Sequence, residues 1–140
     1  MFTSILFFGM LTLGSWAAVN IYFWYKNRNT AKDSTHYFWQ MNGLWNVINL
    51  SIAMVSTLLV SARLNAYRTD ANLQDLQVKI VAFNIILDVL YIAAGFYLEH
   101  RGKTNKNERL IGYGNAIQLQ GAFLFFFDSI FALALIVATL

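Results

Sequence analysis

Four mainly apolar stretches, separated by short polar and charged segments, decide what this chain can become: Phe2 to Trp24, Phe38 to Val60, Val78 to Leu98, and Ile111 to Leu140. A helix needs about 20 mainly apolar residues to cross about 30 Å of hydrocarbon. Inside lipid, every backbone N–H and C=O must be satisfied within the protein, which a helix does by itself. The expected fold is therefore all-α, an integral membrane four-helix bundle in one domain covering residues 1–140, with neighbours antiparallel because the connections are short. The third helix has an alternative start near residue 71, where Thr69 or Asp70 supplies a cap and Asp75 sits favourably near the positive end of the dipole. The fourth stretch is longer than one crossing requires, so it tilts or begins in the interface.

Composition closes off the other classes. Hydrophobic residues make up 58% of the chain and charged ones 12%, about half the charged share of a soluble domain. Such a chain cannot cover itself with polar groups in water, which excludes an ordinary soluble enzyme, a nucleic-acid-binding domain and a disordered region. Without cysteine there are no disulfides, thiolate metal sites or dithiol redox chemistry. Without proline no span is kinked by one, which argues against a transporter built on unwound helices. The first stretch has no Lys or Arg ahead of its apolar run and exceeds a signal-peptide core in length, so it is read as a retained helix.

Orientation follows from the positive residues. Lys26, Arg28 and Lys32 lie in one loop and Arg101, Lys103, Lys106 and Arg109 in another, leaving three of the ten (Arg63, Arg68 and Lys79) for the opposite side. This places loops 25–37 and 99–110 in the cytoplasm and both termini on the non-cytoplasmic side. The short loops and compact form suggest a bacterial inner membrane. Tyr22, Trp24 and Tyr25, with Tyr37, Phe38 and Trp39, form an aromatic belt at the cytoplasmic interface. Gly102 reads as the stop of the third helix, and Asn105 with Glu108 as a capping box opening the fourth.

The informative residues are those that do not belong in hydrocarbon. Asp88 and Asp128 fall near the middle of the third and fourth helices, and a charged Asp there costs on the order of 3 kcal/mol. Helical spacing gives each acid a polar line. Asn84, Asp88, Tyr91 and Gly95 share one stripe of the third helix; Asn42, Asn46, Asn49, Ala53 and Ser56 share one of the second. On the fourth helix Gly121 is nearly in line with Asp128, flanked by Gln118 and Gln120. The first helix offers Asn20, with Gly14 and Ala18 as a close-contact site. In the deduced orientation Asn20, Asn42, Gln118 and Gln120 occupy the cytoplasmic half, while Asn46, Asn49 and both acids lie near the middle. Asn84 lies nearer the outside. This polar column suggests a cavity open to the cytoplasm and dry at its outer end.

Two uses of these groups stay open: a site that binds a proton, cation or polar ligand, or hydrogen bonds that hold the helices together. The leading functional expectation is a small proton- or cation-coupled transporter or channel-like protein. In it Asp88 and Asp128 are the ion or proton sites, Asn46, Asn49, Asn84, Gln118 and Gln120 assist, and Tyr91 orients a carboxyl. The alternatives are an accessory or assembly subunit of a larger membrane complex, and a lipid- or quinone-binding protein. His36, His100 and Glu99 are weak metal candidates at the cytoplasmic edge. No phosphate-binding loop, zinc-protease motif or nucleophile elbow occurs, so no catalytic residue and no cofactor is expected. The expected partners are the lipid bilayer and either a second copy, as a homodimer, or a larger membrane complex; nucleic acid is not among them.

Overall fold

Helix boundaries in the computed structural model, which describes residues 1–140, are set by capping side chains and by close packing between helices. Five helices follow in order: α1 (Phe2–Asn27), α2 (Ser34–Ala62), α3 (Leu64–Thr69), α4 (Ala71–Thr104) and α5 (Glu108–Thr139). All but α3 are long and apolar enough to cross a membrane. At about 1.5 Å per residue they run from about 39 to about 51 Å, so each exceeds the hydrocarbon thickness.

The caps explain where the helices exceed the expected spans. Asp33 accepts a hydrogen bond from the His36 backbone N–H at 3.0 Å and opens α2 at Ser34, ahead of the expected Phe38. Asp70 accepts from the backbone N–H groups of Asn72 and Leu73, so α4 takes the early start. The short α3, which no sequence signal announced, precedes it. At the other end, α4 runs through Gly102 to Thr104, past the expected limit at Leu98. Gly102 is not a helix stop because no glycine in the chain adopts a positive φ; Lys106, at φ 53°, takes the left-handed conformation in the turn. What Gly102 provides is close approach: a Cβ there would lie 2.7 Å from the backbone nitrogen of Ile111.

The expected capping box is also replaced. Asn105 ends α4, and Asn107 caps α5 by accepting from the backbone N–H groups of Arg109 and Leu110. Glu108 reaches across to α2, where its carboxylate accepts from the Ser34 backbone N–H at 2.8 Å. A carboxylate at a helix N-terminus satisfies an otherwise free donor and the positive end of the dipole. The α1–α2 and α4–α5 loops are thereby joined at one end of the bundle.

Packing divides the chain into two antiparallel hairpins. α1 packs on α2, α4 packs on α5, and the pairs meet chiefly along α2 and α5. The α4–α5 seam is very close: a Cβ on Gly114 would lie 2.5 Å from the Glu99 nitrogen and 2.7 Å from the Gly95 carbonyl oxygen. The opposite end is held by an apolar cluster that includes Phe2, Leu6, Val60, Tyr67, Val81 and Leu135. Outward faces are apolar on every long helix, as at Phe8, Leu58, Phe83 and Ile130, all well exposed. Large apolar side chains facing outward along entire helices are what lipid contact requires and water does not tolerate.

Candidate functional site

The polar residues inside the bundle separate into two systems. The first is a closed ring of hydrogen bonds linking α1, α2 and α5. The Trp16 indole N–H donates to Gln120 Oε1 at 3.0 Å, and Gln120 Nε2 donates to Asn42 Oδ1. Asn42 Nδ2 donates to Asn20 Oδ1, and Asn20 Nδ2 returns to the Trp16 carbonyl at 2.8 Å. Asn42 and Gln120 are fully buried and Asn20 nearly so. The ring continues along α2, where Asn46 Nδ2 donates to the Asn42 carbonyl at 2.7 Å and Asn49 Nδ2 to Asn46 Oδ1 at 3.3 Å. Phe123 stacks on Trp16 at 4.0 Å between centroids and fixes the indole plane. Buried amides satisfied in this way brace helices against one another.

The second system is a cavity. Asp88 on α4 and Asp128 on α5 are 2% and 7% exposed, and their carboxyl groups are neighbours across the α4–α5 interface. Both line a space of about 270 Å³ with Trp45 and Asn49 from α2 and Asn84 and Tyr91 from α4. One carboxyl oxygen, Asp88 Oδ2, is buried with no hydrogen-bond partner. A buried acceptor left unpaired costs about 1–3 kcal/mol, and more when charged, so it marks a place where something other than packing is at stake.

A second space of about 160 Å³ adjoins the first, sharing Leu13, Ile52, Asn84 and Asp128, and extends past Ser56 to Tyr67 and Gln77. The smaller space therefore continues from the acids toward the α3 end, and the larger reaches Trp45 and Tyr91 on the loop side of them. Neither is lined by residues of the α1–α2 and α4–α5 loops, where the sequence placed the opening. The reason is that the amides of that half bond directly to one another, and the glycine contacts there leave no gap between α4 and α5. At the α3 end Tyr67 is buried; it accepts from Gln77 Nε2 at its hydroxyl (3.1 Å) and from Gln74 Nε2 at its carbonyl (2.7 Å).

The expected residues fall into place unequally. Asp88, Asp128, Asn49, Asn84 and Tyr91 line one cavity. Asn46 and Gln120 belong to the amide ring and its extension. Gln118 turns away and donates to Glu99 Oε2 at 2.6 Å. Tyr91 packs edge-on against Trp45 at 5.0 Å and makes no hydrogen bond to either carboxyl, so the orienting role expected of it is not what the structure shows. His36, His100 and Glu99 form no metal-binding group: His36 approaches Thr30 at 3.4 Å, His100 is exposed, and Glu99 is engaged by Lys103 and Gln118. Trp16 is the participant that sequence reading missed. Its signal was available: an indole N–H in the middle of an apolar helix must find an acceptor.

A family of unknown function, DUF6992, matches residues 12–129 of the chain. The protein belongs to that family. The stretch shared with DUF6992 holds the whole amide ring and both acids. No curated protein and no solved structure matches the chain.

Proposed function

We propose that this DUF6992 protein is a four-span membrane protein that takes up a proton or cation at the Asp88–Asp128 pair and carries it across the bilayer. The observation that supports this most is the unpartnered, buried Asp88 Oδ2 beside a second carboxyl, on the wall of a cavity. Other buried amides, those of Asn42, Asn46 and Gln120, have partners within the protein. The two carboxyls, in contrast, have each other as their nearest polar partner. Intramembrane ionisable groups facing a cavity mark ion and proton paths as a class.

The excess of positive residues puts the α1–α2 and α4–α5 loops in the cytoplasm, and a bacterial inner membrane is the setting that the short loops suit. In this orientation the smaller cavity leads from Asp128 toward the non-cytoplasmic side, so the acids take up their cation from there. The ring of amides closes the cytoplasmic half, and transport requires that ring to yield.

Flux in proteoliposomes tests this reading. Proton or cation uptake is expected to fall at least about tenfold, equal to a barrier change of about 1.4 kcal/mol, in both Asp88→Asn and Asp128→Asn. Uptake unchanged in both variants overturns it. So does a wild-type protein without flux that co-purifies with a larger membrane complex or retains a lipid or quinone.

A further inference from the structure

The walls around the two acids say more about what they hold. An inorganic divalent cation asks for six or more oxygen ligands in Ca²⁺ sites, or an octahedral shell for Mg²⁺. Here no group of three His, Cys, Asp or Glu side chains comes together. Most of the larger cavity is apolar, with Ile48, Ile52, Leu87 and Leu124 lining it beside the polar groups. Two aromatic rings, Trp45 and Tyr91, stand on the same wall. Asp88 Oδ2, buried beside the Asp128 carboxyl, has no N–H donor from the protein and can accept from one placed in the cavity.

These features belong together if the occupant has a charged donor head and a greasy body. An –NH₃⁺ group carries three donors, enough for both carboxyls and an amide carbonyl, and aromatic rings attract a cation further. A quaternary ammonium has the charge without the donors. A potassium ion has neither donors nor an apolar part. At about 270 Å³ the space takes a small organic molecule and is far larger than a bare ion needs.

We propose that the cavity between α2, α4 and α5 selects a primary ammonium carried on a short apolar body, its nitrogen held by Asp88 and Asp128 and its body by the aliphatic wall. This rests on the reading of the pair as a cation site and narrows it to a ligand class.

The test is titration calorimetry on purified protein with methylammonium, ethylammonium, propylammonium, tetramethylammonium and potassium chlorides, with size-exclusion profiles confirming that each variant is folded. Affinity is expected to rise about fourfold for each methylene from methyl- to propylammonium, as burial of each CH₂ dictates. Tetramethylammonium and potassium are expected to bind at least about tenfold more weakly than propylammonium, for want of the charge-assisted hydrogen bonds. Asp88→Asn is expected to weaken propylammonium by a similar factor. Equal affinity for propylammonium and tetramethylammonium, or no dependence on Asp88, overturns the ligand class. If Asp88-dependent proton flux persists in that case, the transport reading stands without it. Asp88-dependent propylammonium binding in a protein that shows no flux keeps the ligand class and removes transport.

Discussion

Gln118 and Gln120 stand two positions apart on α5 and bind in different directions: Gln118 donates to Glu99 on α4, and Gln120 donates to Asn42 on α2. At about 100° per residue, two positions swing a side chain through about 200°, so neighbours in sequence serve different seams. One brace closes the α4–α5 hairpin near its loop, and the other joins the two hairpins.

Gln120→Ala is therefore expected to cost about 1–2 kcal/mol, because it leaves the Trp16 N–H and Asn42 Oδ1 unpaired in a dry interior. Combined with Asn42→Ala the losses are expected to be non-additive, with a coupling of about 0.5–1.5 kcal/mol. Denaturant titration in detergent of the single and double variants measures this. Full additivity contradicts the ring.

The acids are expected to respond oppositely. Leu at position 88 removes a buried acceptor that lacks an N–H donor, and Asp88→Asn supplies an N–H to the Asp128 carboxyl, so stability is expected to hold or rise in both while transport is lost. Thermal unfolding beside flux assays reads both quantities. A drop of about 2 kcal/mol or more with Asp88→Asn would return the residue to a structural role.

Close approach along α4 and α5 leaves no room for a side chain at Gly114. Gly114→Ala places a methyl 2.5 Å from the Glu99 nitrogen, where backbone has to move, whereas Gly14→Ala meets Ala53 at an ordinary 3.6 Å. Overpacking of this kind costs about 1–3 kcal/mol, so only Gly114→Ala is expected to lower the unfolding midpoint.

The Glu108 cap on α2 gives a smaller effect. Glu108→Ala is expected to cost about 0.5–1 kcal/mol and to loosen the joined loops, seen as faster amide exchange at Ser34 to Tyr37.

Orientation can be tested directly because the chain has no native cysteine. Thr30→Cys and Asn105→Cys are expected to react with an impermeant thiol reagent from the same face of the membrane, and Asn65→Cys from the other. Any other pattern overturns the proposed placement of the loops.

Much of this was legible in the residues. The four apolar stretches announced four long helices, and the spacing of Asn84, Asp88 and Tyr91 put them on one wall. The same spacing on α2 aligned Asn42, Asn46 and Asn49 but did not say which would bond to a neighbour and which would face a cavity; that depends on how closely two helices approach. Gly95 and Gly114 set this distance on different helices, and only their meeting makes it visible. Gly102 was misread for a related reason: a glycine near a helix end signals a left-handed cap or a close contact equally well, and here the contact decides. The direction of the cavity was illegible because polar residues attract one another as readily as they attract water.

The single seam between the two hairpins carries one more consequence. α4 reaches the rest of the protein chiefly through α5, and its covalent link to α2 is the short α3 between the exposed Arg63 and Asp70. Severed there, the chain becomes two self-contained insertion units, each a pair of helices with its own tight turn. Such halves, co-expressed from separate genes, would find each other by the Gln120–Asn42 latch and rebuild the acid pair's surroundings without a covalent link.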